Sequence, residues 1–298
     1  MMTRFLQQVD LGVESCPYPK PKLTADRFLM VTPAFLDACH CPDNVFTDLT
    51  EGVDHAKALY QHQAVVEMLR SLGKEVQVFE GQSPDDTFCN NIFATNHRRQ
   101  LIVGNMFYPA RQKEGLRADI RSWFVDEGYE IVEVAAFTQE AAELTGMLIM
   151  DHAWNIGFCG ISNRCTKDSA AVLQQLFGLD ILYTFPISIY HTNVGLSILS
   201  GRVAVICPEM FVHEEDVRAM LKMYPDHVII SLDQLKQFSG NVLAVSDQDI
   251  VISTAGINAL TVEQMRSFDR FGFQLHHVDL SEIEKSGGSM RCLLGEVY

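Results

Sequence analysis

Four times along this chain the apolar residues spell the same unit: two short strands joined by a polar turn, then a helix, then a third strand. In the first unit Ile92–Thr95 and Gln100–Val103 flank Asn96-His97-Arg98-Arg99. A helix is expected from about Arg111 to Glu127, with Leu116, Ile120, Trp123 and Phe124 on one face, and a strand over Glu130–Val134. The second has the hairpin Met147–Met150 and Ile156–Cys159, a helix from Thr166 to Phe177 and the strand Ile181–Thr184. The third has Leu196–Leu199, Val203–Ile206, a helix near Glu214–Tyr224 and His227–Ser231; the fourth has Val242–Val245, Ile250–Ser253, a helix opening on the capping box Thr261/Gln264, and Gln274–Val278. The starts fall about 50 residues apart, a period that signals a repeat architecture. The remaining pieces make a fifth unit: strand Arg291–Val297 pairs with Phe28–Val31, followed by helix Val53–Leu72, with Ala56, Leu59, Val66 and Leu69 on its apolar side, and strand Glu75–Phe79. A fifth unit made from both ends closes a ring and removes a free sheet edge. The competing reading is an ordinary open α/β sheet, against which the hairpin inside each unit argues.

Residues 1–26 read as an N-terminal extension, because the prolines of Cys16-Pro17-Tyr18-Pro19-Lys20-Pro21 fit neither a helix nor a central strand. Residues 27–298 read as one domain. No apolar run is long enough to span a membrane, and Met1–Leu11 has no long apolar stretch of the kind a signal peptide carries. Eight cysteines scattered through 298 residues suit reduced thiols in a cytoplasm rather than a disulfide framework. The net charge of -15 argues against nucleic acid and anionic membranes as partners and suits a cationic or zwitterionic small molecule.

Unusual polar residues recur at one place in the units, just before the first strand: Asn90-Asn91, Glu143, Tyr190-His191-Thr192-Asn193, and Ser289 to Cys292. Alone, Cys292 reads as a small buried core residue. In a ring, equivalent positions converge on the axis, so Cys292, His191, Glu143 and Asn91 are expected to share one central cavity. A thiol of ordinary acidity needs a cation or an acid–base partner to act at neutral pH, and His191 is the candidate proton shuttle. Glu143 suits the N–H groups of a planar cation, and Asn91 adds one acceptor and two donors. Together they describe thiolate attack on a trigonal carbon bearing nitrogens.

The same residues carry a resemblance. Phe88-Cys89-Asn90-Asn91, Glu143-Leu144-Thr145-Gly146 with Asp151, Ser162-Asn163-Arg164-Cys165, Tyr190-His191-Thr192-Asn193-Val194 and Gly287-Gly288-Ser289-Met290-Arg291-Cys292 resemble, in order, the motifs of the guanidino-group-modifying superfamily. That superfamily includes arginine deiminase, dimethylarginine dimethylaminohydrolase, arginine dihydrolase and the amidinotransferases; the citrulline-hydrolase-like branch is the nearest in motif. The resemblance covers about residues 27–298. It implies a five-bladed α/β propeller of pseudo-fivefold ββαβ repeats, its fifth blade closed by both chain ends. It implies a covalent intermediate on Cys292, His191 as general acid/base, and Glu143 and Asn91 around the guanidino or ureido group. It also implies Asn44 and Asp86 as substrate contacts and Arg164 as support for the site, the other reading of Arg164 being a structural salt bridge. It implies no cofactor.

The chain departs from the family pattern at several points. Asn91 stands where deiminases carry Asp, Leu144 replaces a Gly, Cys165 a Thr, and Ser286 the first of three glycines. Asn91 favours arginine dihydrolase or citrulline hydrolase activity over simple deimination. The alternatives are an amidinotransferase, a dimethylarginine or arginine deiminase, and a catalytically silent relative that binds a ligand or protein; homo-oligomerisation is left open. Cys39-His40-Cys41 lacks a second cluster at zinc spacing, so no metal is expected. His276-His277 reads as one buried and one exposed strand residue, and Glu214-Glu215-Asp216 as the acidic first turn of a helix.

Overall fold

The computed structural model describes residues 22–37, 44, 46–48, 50 and 52–298. Most of the expected extension, including Pro17, Pro19 and Pro21, and the Cys39-His40-Cys41 run lie outside the described residues. The fold begins with strand β1 (Arg27–Val31), helix α1 (His55–Ser71) and strand β2 (Glu75–Phe79). The repeats follow: β3 (Phe93–Asn96), β4 (Gln100–Val103), α2 (Ala118–Asp126) and β5 (Glu130–Glu133); then β6 (Leu148–Asp151), β7 (Ile156–Ile161), α3 (Lys167–Phe177) and β8 (Ile181–Pro186). After them come β9 (Leu196–Leu199), β10 (Val203–Ile206), α4 (Glu214–Met223) and β11 (His227–Ile229), then β12 (Leu243–Ala244), β13 (Asp249–Ser253), α5 (Val262–Arg270) and β14 (Gln274–Val278), and finally β15 (Gly295–Val297).

This is a mixed α/β fold. The described strands form five three-stranded sheets, each with an antiparallel pair and then a parallel one. One sheet takes β15 from the far end of the chain, with Arg27 opposite Val297 and Leu29 opposite Gly295. Side-chain hydrogen bonds tie each unit to the next. Thr95 Oγ1 donates to Glu296 O, Asn96 Nδ2 to Leu176 O, Tyr224 Oη to Asp151 Oδ2, Ser197 Oγ to Gly240 O, and Arg291 N to Asn241 Oδ1. No helix among the described residues is long and apolar enough to cross a membrane.

Local chemistry sets the helix ends. Asp54 accepts from Lys57 N at the start of α1, and Thr166 and Ser169 form a capping box on α3, which Gly178 stops in the left-handed conformation (φ 67°). Three expectations need correction. The buried stripe of α1 is Ala58, Gln61, His62, Val65, Val66 and Leu69, so Val66 and Leu69 lie inside as expected, while Ala56 and Leu59 fall off this face and point outward. The helix expected over 111–127 is broken into Pro109–Gln112, a 3-10 turn Lys113–Leu116, and α2. Gly115 sits where a Cβ would lie 2.9 Å from Val103 Cγ1, and Arg117 adopts a non-helical backbone, which leaves Leu116 70% exposed. Finally, Arg291 is not in a strand. Met290–Leu293 is a 3-10 turn, because Asn241 captures the Arg291 N–H and Arg291 O accepts from Leu294 N, leaving nothing for a ladder to satisfy.

Candidate active site

Five of the sequence-predicted residues, Asn44, Asn91, Arg164, His191 and Cys292, line one cavity of about 390 Å³, counting its open mouth. Asn91, His191 and Cys292 each arrive on a short connection at a strand entrance, whereas Asn44 and Arg164 precede helices. Cys292 lies in the Met290–Leu293 turn, its N–H donating to Ser289 O. The glycines before it let other groups come close. Gly287 has φ 79° and lies where a Cβ would be 2.3 Å from Asn44 Nδ2; a Cβ on Gly288 would be 2.5 Å from the Phe88 ring. Tyr190 Oη donates to Gly287 O and fixes this loop against the histidine's segment. His191 leads into the 3-10 turn Thr192–Val194, and Asn91 ends the turn Cys89–Asn91.

Cys292 is 2% exposed, and burial raises its thiol pKa against the opposing effects of the Ser289 backbone and the Asn241 amide. His191 Nε2 lies 2.6 Å from Glu143 Oε2. Burial lowers the imidazole pKa, and Glu143 opposes this without reversing it, so the ring is neutral at pH 7. A carboxylate only accepts, so Nε2 carries the proton and Nδ1 is the basic nitrogen. Burial by itself would raise Glu143, but the His191 hydrogen bond and the charges of Arg164 and Arg111 outweigh it and hold the carboxyl at about 2.

Glu143 does not line the cavity, contrary to its expected contact with the substrate group. Its two oxygens are already taken: Arg164 Nη1 donates to both at 3.1 Å, Phe107 N to Oε1 at 3.1 Å, and His191 holds Oε2. It orients the histidine from behind. Arg164 shows both aspects weighed for it, since it pairs with buried Glu143 and also faces the cavity, its guanidinium over the Tyr108 ring. Asp86 is a second correction. Its Oδ2 accepts from Gln82 N, Ser83 N and Arg117 Nη1, which turns it away, and Asp85 lines the cavity instead. Asn91 Oδ1 is buried without a hydrogen-bond partner among the described residues, and a Cβ on Gly146 would come within 2.5 Å of it.

Three residues were not singled out from sequence. Arg111 lines the cavity, paired with Glu114 and donating to Asp85 O; nothing marks it in a stretch that reads as an ordinary helix. Asp85 is the neighbour of the residue chosen. Asn241 donates to Cys292 Sγ at 3.4 Å. It stands two residues before β12, so the positional rule that found Asn91, His191 and Cys292 points to it when applied to the fourth unit. The arrangement combines a buried thiol, a neutral histidine oriented by a carboxylate, and an amide with a free acceptor, beside two guanidinium groups and one carboxylate. That is the equipment for nucleophilic attack with proton transfer on a small zwitterion.

Comparison with known proteins adds the following. The family model for eukaryotic N,N dimethylarginine dimethylhydrolase matches residues 38–298. The N(G),N(G)-dimethylarginine dimethylaminohydrolase of Mycobacterium tuberculosis is 27% identical over 91% of this chain and 86% of its own length. An uncharacterised Bacillus subtilis protein, YkgA, is 29% identical over 78% of this chain and 77% of its own length. The N-terminal domain of ArgZ, a cyanobacterial arginine dihydrolase, shares the fold with a TM-score of 0.78 and 18% identity, covering 91% of this chain and 97% of that one.

Proposed function

The chain belongs to the eukaryotic N,N dimethylarginine dimethylhydrolase family and is a hydrolase of non-peptide C–N bonds; on this premise we propose that it hydrolyses the guanidino or ureido group of arginine or a close relative through a covalent intermediate on Cys292. The observation that carries the reading is the meeting of Cys292, His191 and Asn91, far apart in sequence, on one cavity, with His191 oriented by Glu143.

In this reading Asn91 receives a substrate N–H on its unpartnered oxygen. A guanidinium in the cavity favours the thiolate that burial disfavours. His191 Nδ1 takes the thiol proton; the thiolate forms a C–S bond to the trigonal carbon, the C–N bond breaks, and the departing amine takes that proton from His191. His191 then removes a proton from water as the water attacks, the C–S bond breaks, and the thiolate returns. Arg111 and Arg164 suit an α-carboxylate and Asp85 an α-ammonium, so an amino acid fits better than a simple amidine. Asn91 in place of a carboxylate suits a neutral urea as well as a cation, which supports a second hydrolysis from the ureido product to ornithine.

The wider reading is a five-bladed propeller over residues 27–298, preceded by the extension 1–26. It is supported by the common strand order of the sheets, the hydrogen bonds linking neighbouring units, and the likeness in fold to the ArgZ domain. Among the described residues, the free cysteines 89, 159, 165, 207 and 292 suit a reducing, cytoplasmic setting. Homo-oligomerisation belongs to the same proposal and is read by sedimentation.

The test is incubation with arginine, citrulline, methylated arginines and agmatine, reading ammonia, methylamines, citrulline and ornithine together. Ornithine with two ammonia per arginine is expected; accumulating citrulline means deimination despite Asn91. Cys292→Ala should abolish turnover with Tm nearly unchanged. Residual turnover in a strongly destabilised variant would instead make Cys292 a core thiol and sink the covalent mechanism.

A further inference from the structure

Asn241 is fully buried, and its amide is used on both sides. Oδ1 accepts from Arg291 N at 2.9 Å; Nδ2 donates to Asn193 O at 3.0 Å and to Cys292 Sγ at 3.4 Å. The orientation of the amide is fixed, because the reverse would set an NH₂ group against the Arg291 N–H. We propose that Asn241 is a positioning residue for the Cys292 thiolate, giving it a hydrogen bond and locking the thiol's segment to that of His191. The inference deepens the hydrolase reading and rests on it.

Two features of the fold prepare this role. The turn carrying Asn241 is rigid: Asn241 N donates to Phe238 O, Ser239 Oγ to Gly256 O, and Phe238 holds a left-handed backbone (φ 60°) that a bulky residue rarely adopts. Gly240 then brings the chain against the histidine's segment, where a Cβ would be 2.5 Å from Val194 O. The amide also meets both protonation states of sulfur. Sγ lies 3.7 Å from Oδ1, towards which a thiol can donate, and 3.4 Å from Nδ2, from which a thiolate can accept. The bond to the anion is charge-assisted and the stronger of the two, so Asn241 favours the reactive form and offsets part of the burial penalty. Through Asn193 O the same amide keeps thiol and histidine in register without touching the substrate.

The test compares wild type with Asn241→Asp, which keeps the shape and the acceptor for Arg291 N but loses the N–H, and with Asn241→Ala. The rate of Cys292 alkylation by iodoacetamide is followed against pH by peptide mass, beside kcat, KM and Tm. The alkylation midpoint should rise by at least about one pH unit, which is about a tenfold loss of thiolate at fixed pH, and kcat should fall more than KM changes. An unchanged midpoint in folded variants would overturn the proposal. If neither variant folds, NMR of wild-type protein decides: the Asn241 side-chain amide signals should follow the thiol titration in wild type and lose that response in Cys292→Ala, and signals indifferent to it would overturn the proposal. Alkylation needs no substrate. A wild-type protein with no turnover on any guanidino compound would sink the hydrolase reading and leave the alkylation comparison to decide Asn241.

Discussion

Glu143 shows how much a single buried charge can govern. With one oxygen on the imidazole and both on Arg164, it settles the tautomer of His191 and neutralises a cation in the wall. Its carboxyl, ordinarily near 4.5, is held at about 2 in the folded protein, so its contribution to stability is complete above about pH 4.5 and is lost as pH falls through about 2. The His191 imidazole, lowered below 6.5 by burial, adds an earlier loss, because below about 6.5 the unfolded chain takes up a proton that the folded one does not. Urea denaturation at pH 5 and pH 3 should show wild type losing more stability than Glu143→Gln over that interval; equal losses would refute the assignment. At pH 7 the variant should be less stable by about 3–5 kcal/mol, because Arg164 is left buried without its charge partner. At this scale much of the site was readable. The thiol, the histidine and Asn91 stand in motifs at equivalent places in the repeats. What could not be read was direction: of the adjacent acids Asp85 and Asp86, the one facing the cavity is decided by which side chain closes the turn onto Gln82 N and Ser83 N.

Short turns, rather than the regular elements, carry the chemistry. The turn Leu144–Met147 packs over Cys89–Asn91, and Gly146 is the contact point: a Cβ there would lie 2.5 Å from Asn91 Oδ1 and 3.1 Å from His191 Cε1. Gly146→Ala should therefore push two cavity residues out of place, lowering kcat at least about a hundredfold, as misplacement of reacting groups does, while circular dichroism shows the secondary structure intact. Normal turnover by this variant would mean that Asn91 and His191 are not held to this geometry. Strands were legible because alternation and β-branched residues mark them, and helices because their caps are written in Thr166 and in Thr261/Gln264. Their ends were less so. A side chain from elsewhere, Asn241 at Arg291 N, replaces a strand bond, and Gly115 with Arg117 divides a stretch whose apolar spacing alone spells one helix.

At the scale of the molecule, the described residues form five similar sheets whose strands stand in chain order, except the one that joins β15 to β1. That join is reinforced on its outer side, where Thr95 Oγ1 donates to Glu296 O at 3.2 Å and accepts from Tyr298 N at 2.8 Å. Thr95→Val removes both bonds at nearly constant shape and should cost about 1–3 kcal/mol in chemical denaturation, with KM unchanged. A neutral result would mean the join is held by its backbone ladder and core alone. The recurrence of the units made this arrangement visible in the sequence, and a motif marked Arg164, whereas Arg111, the cavity's other arginine, sits in a stretch that spells an ordinary helix and became visible only in three dimensions. The join of β15 to β1 also has a consequence in time. On the ribosome β1 and its helix emerge early, and the strand that covers the edge of β1 follows only after almost all of the other described residues have been made. Until then that edge stays open and the thiol's turn has no floor. A chain interrupted before β15 is thus expected to keep an unpaired edge on β1, and to lack the strand that follows the thiol's turn.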